Sequence, residues 1–340
     1  MAYILHLYIN KGNQEHFTDH SAHDTDEFHS IVRILTTFLH EILMKHFFRR
    51  QQGRGSYDLL STYNHYAPGM GGIMLLLVLF LLGAALGNLT ILGLQAVMGE
   101  GFAQSYGTVI SYPLMFIPAM LYASARSRLD MYHTPEVPLD RNDFSPYGGL
   151  KLTFTAIAAT IAMAYIVEPV VTLLPPMPQW LEDTMKQLLE KSPVWISLIS
   201  VSVFAPFFEE WLCRGIILRG LLSRNMSPAW AIAISSVFFA VIHMNPWQAI
   251  PAFSLGALFG YAYYRTGSLK LTMLMHCANN TMALVISKIP QFKDAENFMD
   301  ILSPWAYWSI FALCVVIVAS SVAVIRGIST VGPKTLPKRD

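Results

Sequence analysis

Two adjacent glutamates and two arginines interrupt an apolar stretch in the second half of the sequence. The stretch FFEEWLCRGIILRGLL, residues 207–222, carries Glu209, Glu210, Arg214 and Arg219. Residues four apart lie on one helical face, so Glu210 and Arg214 are within ion-pair reach, whereas Glu209 is turned about 100° away. The spacing predicts that Glu210 and Arg214 hold their helix in register and that Glu209 is available for chemistry.

Two histidines and an asparagine occur in later apolar segments. His243 ends the run FFAVIH, and His276 and Asn280 are four residues apart in HCANN. An ionisable side chain at mid-bilayer costs about 2.5–3.5 kcal/mol and usually faces the bundle interior or a wet cavity. Taken singly, each residue could serve only as a helix–helix contact. Together, carboxylate and imidazole groups are candidates for activating water or binding a metal.

The positions of these residues within their segments predict how deep they lie. At 1.5 Å per residue, Glu209 lies roughly 20 Å and His243 roughly 22 Å from the loop that joins their helices. His276 lies only about 9 Å from the start of its own segment by the same rule. The rule therefore places Glu209 and His243 at one level and requires the later helix to tilt or to begin earlier.

The composition indicates an integral membrane protein. Hydrophobic residues make up 54% of the 340-residue chain, charged residues make up 13%, and the mean hydropathy is +0.42. Soluble domains carry about 25% charged residues. With a formal net charge of +1 and no basic cluster on one face, we expect no nucleic-acid partner.

Eight apolar segments approach the ~20 residues that a helix needs to cross about 30 Å of hydrocarbon. They lie near 71–98, 105–124, 151–174, 193–222, 228–244, 247–264, 269–287 and 305–326. This pattern predicts an all-α polytopic membrane helical bundle of about eight transmembrane helices. Residues 69–330 are expected to form this transmembrane domain, with a cytoplasmic tail at 331–340.

The distribution of Lys and Arg predicts the orientation of the bundle. The N-terminal flank and the even-numbered connections are the basic ones, and they include Lys45, Arg49, Arg50, Arg54, Arg126, Arg128, Arg141, Arg224 and Arg265. The first and fifth connections have none. Because cytoplasmic loops are enriched in basic residues, we expect both termini to be cytoplasmic, which agrees with an even number of spans.

Residues 1–68 are predicted to form a cytoplasmic extension. Apolar residues recur at helical spacing between Phe28 and Leu43, before the basic sequence KHFFRR, which predicts an amphipathic helix on the membrane surface. Eight of the eleven histidines fall in this segment. Their spacing is irregular, so we assign them no metal.

Three motifs in order resemble those of a protease family. EEWLCR at 209–214 fits EExxxR, FAVIH at 239–243 fits FxxxH, and HCANN at 276–280 fits HxxxN. These motifs, including Phe239 of the second, are similar to those of the CPBP intramembrane proteases, a group that includes type II CAAX prenyl endopeptidases and bacterial Abi proteins. The resemblance covers about residues 193–285, and Cys213 stands where an aromatic residue commonly precedes the arginine.

The resemblance implies an intramembrane endopeptidase, and the chemistry of the residues fits that activity. Glu209 would act as general base on a water that His243 also holds. His276 and Asn280 would stabilise the oxyanion of the tetrahedral intermediate. No cofactor is implied. The expected substrate is a membrane-embedded or lipid-anchored peptide or protein, and the expected location is the inner membrane of a bacterium.

Three other interpretations are compatible with the residues. Glu209, His243 and His276, with Asn280 as a fourth candidate, could bind Zn²⁺ as in a metallopeptidase, although no HExxH motif is present. Buried Glu and His could relay protons in a transporter, which predicts internal repeats that the sequence lacks. A non-catalytic immunity or scaffold protein could also keep this fold, but the intact set of motif residues argues against it.

Overall fold

The protein is a bundle of long helices in the computed structural model, which describes residues 59–141, 144–181, 192–289 and 297–328. In chain order the helices are α1 (Met70–Met98), α2 (Glu100–Asp130), α3 (Gly149–Val171), α4 (Val194–Ser223), α5 (Pro228–Val241), α6 (Pro246–Thr266), α7 (Leu269–Ser287) and α8 (Pro304–Arg326). No strand occurs in the described residues. The predicted all-α class is therefore confirmed.

The eight predicted segments each contain a helix, but not all eight are typical membrane spans. Within the described ranges, five helices have the length and hydropathy to cross a membrane, namely α1, α2, α3, α4 and α8. Helix α5 has only 14 residues, and α6 and α7 are long enough but less apolar. Helix α7 is less apolar because it carries the polar residues His276, Asn279 and Asn280. The predicted amphipathic helix at 28–43 and the tail at 331–340 lie outside the described residues.

Helix α4 forms the centre of the bundle. Of the most apolar 18-residue stretch of α4, 67% is buried inside the protein, against 11% for the corresponding stretch of α8. The stretches Leu198–Phe204 and Trp211–Leu218 within α4 have the wider π-helical turn. Glu209 and Glu210 end the α-helical stretch between them, Ala205–Glu210. Such π-helical turns are rare and frequently occur at functional sites.

Helices α1 and α2 form a closely packed hairpin beside α4. A Cβ atom added at Gly83 would lie 2.0 Å from the carbonyl oxygen of Met115 and 3.0 Å from its Cα. Backbone atoms of a packed helix cannot move aside as a flexible side chain can, so the two helices approach this closely only because residue 83 is glycine. This contact fixes the part of α2 that faces α4.

Arg219, the second arginine of the stretch 207–222, connects α4 to the chain before α1. Its buried guanidinium donates hydrogen bonds of 2.5–3.1 Å to five carbonyl oxygens, those of Tyr63, Asn64, Tyr66, Val137 and Gly215. Leu60, Tyr63 and Tyr66 are also buried in the core. Residues 59–66 thus pack with the helices. The rest of the predicted N-terminal extension, residues 1–58, lies outside the described residues.

We expect Arg219→Lys to destabilise the protein by at least about 2 kcal/mol, since a lysine has three donors and cannot reach five carbonyls with a planar fork. The measurement is the thermal unfolding midpoint of the purified protein in detergent. Arg224→Lys is the control, because Arg224 is exposed and donates to one carbonyl, that of Ala67, at 3.0 Å. Equal midpoints for the two variants would contradict this role of Arg219.

Candidate active site

Glu210 and Arg214 form a fully buried ion pair. Arg214 Nη1 donates to Glu210 Oε1 at 2.5 Å, and both side chains have 0% exposure. The pair predicted from the four-residue spacing is therefore present. The same oxygen of Glu210 lies 3.1 Å from His276 Nδ1 on α7. Glu210 thus connects an arginine on its own helix to a histidine on another helix.

The guanidinium of Arg214 is held by groups from α5 and α6. Its Nη2 donates to the carbonyl oxygen of Gly256 at 2.9 Å. Its Cζ lies 4.6 Å from the ring centroid of Phe239 and 5.4 Å from that of Phe259, distances at which a cation is attracted to an aromatic face. A Cβ at Gly256 would lie 3.3 Å from Nη2, so this glycine permits α6 to approach the guanidinium.

Glu209 turns away from this pair and is 8% exposed. Its Oε1 accepts a hydrogen bond from the hydroxyl of Tyr112 on α2. Its Oε2 lies 4.0 Å from His276 Nε2. That distance is too long for a direct hydrogen bond, and Oε2 is buried without a hydrogen-bond partner among the described residues. The two glutamates therefore have separate environments, as their angular offset on the helix predicted.

His276 lies between the two glutamates, with Nδ1 towards Glu210 and Nε2 towards Glu209. Its ring packs at 5.5 Å from the ring of Phe239, edge to face, and at 5.7 Å from that of Phe259. The same two rings flank Arg214. The aromatic pair thus fixes both the histidine and the arginine.

The start of α7 is anchored by the loop that follows α2. Asp140 Oδ1 accepts from the backbone N–H groups of Leu269 at 2.8 Å and Lys270 at 3.3 Å. Its Oδ2 pairs with Lys270 Nζ at 3.0 Å. A carboxylate at a helix N-terminus satisfies N–H groups that have no partner within the helix and interacts favourably with the helix dipole. This anchor sets the position of α7, and with it that of His276.

Asn280 lies one helical turn beyond His276 and contacts α4. Its Nδ2 donates to the carbonyl oxygen of Val201 at 2.8 Å, and its Oδ1 accepts from Asn279 at 3.1 Å. An amide nitrogen carries two hydrogens, and the bond to Val201 uses one of them. The second hydrogen is the one that an oxyanion could use.

His243 lies outside the helix in which the sequence predicted it. Helix α5 ends at Val241, and His243 is in the turn that follows. The turn arises because Asn245 caps α6 by accepting from the N–H of Trp247 at 3.0 Å. Pro246 at the first position of α6 also disfavours a helical conformation at the residue before it. The predicted extension of the fifth segment to residue 244 is therefore wrong.

The half-buried His243 reaches the site through Phe239. Its Nδ1 lies 2.7 Å from the carbonyl oxygen of Phe239, and the two rings are 5.0 Å apart, edge to face. Phe239 makes the same type of contact with His276. The structure thus brings four of the predicted residues into direct contact or close approach, namely Glu209, Glu210, Arg214 and His276. His243 lies beside this group.

The predicted difference in depth between Glu209 and His276 does not separate the two residues. The predicted distance of about 20 Å between Glu209 and the loop after its helix rests on a rise of 1.5 Å per residue, as in an α-helix. Eight of the intervening residues, Trp211–Leu218, are π-helical. A helix with hydrogen bonds to the fifth residue holds more residues per turn and advances less per residue, which accounts for a small part of the predicted difference.

Tyr112 is a site residue that the sequence analysis missed. It is 97 residues from Glu209 in the sequence, on a helix outside the three motifs. The only local signal is a phenol within the apolar run ISYPLMF, which is equally typical of a core tyrosine. Among the described residues, no group of three His, Cys, Asp or Glu side chains has the geometry of a metal site.

The comparisons with known proteins concern the same part of the chain. Residues 191–282 match the family described as type II CAAX prenyl endopeptidase Rce1-like. This segment contains all three motifs and runs from α4 to α7, so the resemblance predicted from the motifs is confirmed there. No solved structure matches the chain.

Two curated proteins are similar to part of the chain. The membrane-embedded CAAX protease MroQ of Staphylococcus aureus (strain USA300) is 29% identical over 109 residues, which cover 30% of this chain and 44% of the relative. An uncharacterized 24.3 kDa protein of Escherichia coli is 32% identical over 96 residues, which cover 27% of this chain and 44% of the relative. The chain thus spans less than half the length of these relatives.

Proposed function

We propose that this protein is an intramembrane endopeptidase that hydrolyses a peptide bond through a water activated by Glu209. The observation that carries the proposal is the arrangement of Glu209, which is buried at the centre of the bundle with Oε1 bound by Tyr112 and Oε2 4.0 Å from His276 Nε2. A buried carboxylate with one oxygen that has no hydrogen-bond partner among the described residues, close to an imidazole, is suited to general base catalysis.

In this mechanism Glu209 Oε2 removes a proton from the water, and the water oxygen bonds to the carbonyl carbon of the substrate. The carbonyl oxygen takes up the negative charge, which donors from His276 and Asn280 stabilise. When the intermediate collapses, the carbon–nitrogen bond breaks and the amine leaves with the proton that Glu209 carried. His243 holds the attacking water from the turn after α5.

The substrate class follows from the setting and from the relatives. The site lies on helices of an integral membrane protein, and one relative is described as a membrane-embedded CAAX protease. We therefore assign a membrane-embedded or lipid-anchored peptide or protein as substrate. Bacterial relatives and the bias of basic residues support a bacterial inner-membrane location with both termini in the cytoplasm.

A cleavage assay combined with metal analysis tests the proposal. The full chain, purified in detergent, is given a farnesylated peptide ending in a CAAX sequence and the same peptide without the lipid. We expect hydrolysis of the lipidated peptide, with mass spectrometry identifying the broken bond, and no stoichiometric metal. About one zinc per chain, with activity lost on chelation and regained on adding zinc, would favour the metallopeptidase alternative. Cleavage of neither peptide would contradict the proposed substrate class.

A further inference from the structure

Tyr112 contributes to the site from outside the segment that resembles the protease family. It lies on α2, whereas the matched residues 191–282 begin at the chain leading into α4. Its hydroxyl donates to Glu209 Oε1. None of the three motifs includes this residue, so the bond adds a contact from the first half of the chain.

The ring of Tyr112 is fixed by an aromatic stack that includes a neighbour of Glu209. Its centroid lies 5.8 Å from that of Phe116, and Phe116 stacks on Phe208 at 5.2 Å with an interplanar angle of 17°. Phe208 directly precedes Glu209 in the sequence. The stack therefore sets the distance between the phenol and the carboxylate, and the close contact of Gly83 with Met115 sets the position of α2.

The bond distinguishes the two oxygens of Glu209. The terminal torsion of a glutamate side chain is broad and has no strong staggered preference, so an unbound carboxylate can turn. A donor on Oε1 fixes the plane of the carboxylate and directs Oε2, which has no hydrogen-bond partner among the described residues, towards His276. A general base acts efficiently only within hydrogen-bond reach of the proton that it removes.

We infer that Tyr112 is the positioning residue of the catalytic base, holding Oε1 of Glu209 so that Oε2 faces the attacking water. This inference rests on the proposed function, because it assigns Tyr112 a role in the reaction of Glu209. Tyr112 touches neither substrate nor water in this role. It acts through Glu209, and its effect belongs to the chemical step.

Tyr112→Phe tests the inference, because it removes the hydroxyl and keeps the ring in the stack. We expect kcat to fall about 10- to 100-fold, the scale of a misplaced catalytic group, with KM within about two-fold. Kinetic constants are measured with the peptide that the wild type cleaves and are expressed per folded molecule, quantified by size-exclusion chromatography. Tyr122→Phe is the control. It removes a phenol hydroxyl from the same helix and retains the ring contact with Tyr66 at 5.7 Å, and it should leave kcat unchanged.

A double variant separates positioning from loss of structure. If Tyr112 acts only through the base, adding Tyr112→Phe to Glu209→Gln should lower the remaining rate by less than about two-fold, since the two effects are not additive. Independent, multiplicative losses would overturn the inference, as would a normal kcat for Tyr112→Phe beside an inactive Glu209→Gln. That second result would leave the proposed function intact, whereas full activity of Glu209→Gln would remove both.

Discussion

Glu209→Gln is expected to lower kcat for peptide cleavage about 10²–10⁴-fold, the usual contribution of general base catalysis. Glutamine has nearly the same size, and its amide oxygen can accept the hydrogen bond that Tyr112 donates to Oε1. Its amide nitrogen, however, cannot take a proton from water. The variant should therefore fold and bind substrate as the wild type does, and lose the chemical step. The measurement is kcat and KM on the same lipidated peptide, with the unfolding midpoint measured in parallel.

Glu168→Gln is the matched control for this change. Glu168 on α3 is also a buried glutamate, 2% exposed, and its Oε1 accepts from the N–H of Phe298 at 2.5 Å. A glutamine can keep that bond, so kcat should stay near the wild-type value. Undiminished cleavage by Glu209→Gln would show that another group activates the water. Equal losses of kcat in both variants would indicate that activity depends on any buried carboxylate, and would argue against a catalytic role of Glu209.

The features that the sequence predicted correctly depend on local spacing. The helical segments follow from runs of apolar residues, and the ion pair of Glu210 with Arg214 follows from a separation of four residues on one helix. The separate environment of Glu209 follows from the same geometry. In each case the interacting groups lie within one turn of a helix or within one continuous run, so no knowledge of the tertiary packing was needed.

The features that the sequence did not predict depend on contacts between distant segments or on small changes in helix geometry. Tyr112 meets Glu209 across 97 residues, and Arg219 binds the carbonyl of Tyr63 across 156. No periodicity encodes either contact. The π-helical turns of Trp211–Leu218 likewise have no sequence signal.

The end of α5 was predictable in part. The sequence HMNPW contains an asparagine before a proline, which is a signal for the start of a helix at Pro246. The apolar residues up to Met244 suggested that the preceding helix continues, and hydropathy alone cannot distinguish a helix from an apolar turn. The cap at Asn245 and the left-handed φ of 49° at Met244 explain why His243 lies in a turn.

Glu210→Gln is expected to act on folding, unlike the change at its neighbour. Arg214 and Glu210 are both fully buried, and removing one partner of a buried ion pair leaves an uncompensated charge, at a cost of about 3–5 kcal/mol. The loss also affects His276, whose Nδ1 lies 3.1 Å from the same oxygen. The measurement is the thermal unfolding midpoint in detergent, together with the yield of monodisperse protein.

Two comparison variants test this explanation. Asp130→Asn removes a carboxylate from an exposed pair with the same four-residue spacing, Arg126 with Asp130 at 3.0 Å, and should cost at most about 0.5 kcal/mol. Adding Arg214→Met to Glu210→Gln removes the unpaired charge and should raise the midpoint above that of the single variant, because apolar replacements of buried pairs are often tolerated. A double variant less stable than Glu210→Gln alone would mean that Arg214 stabilises the bundle mainly through Gly256, Phe239 and Phe259.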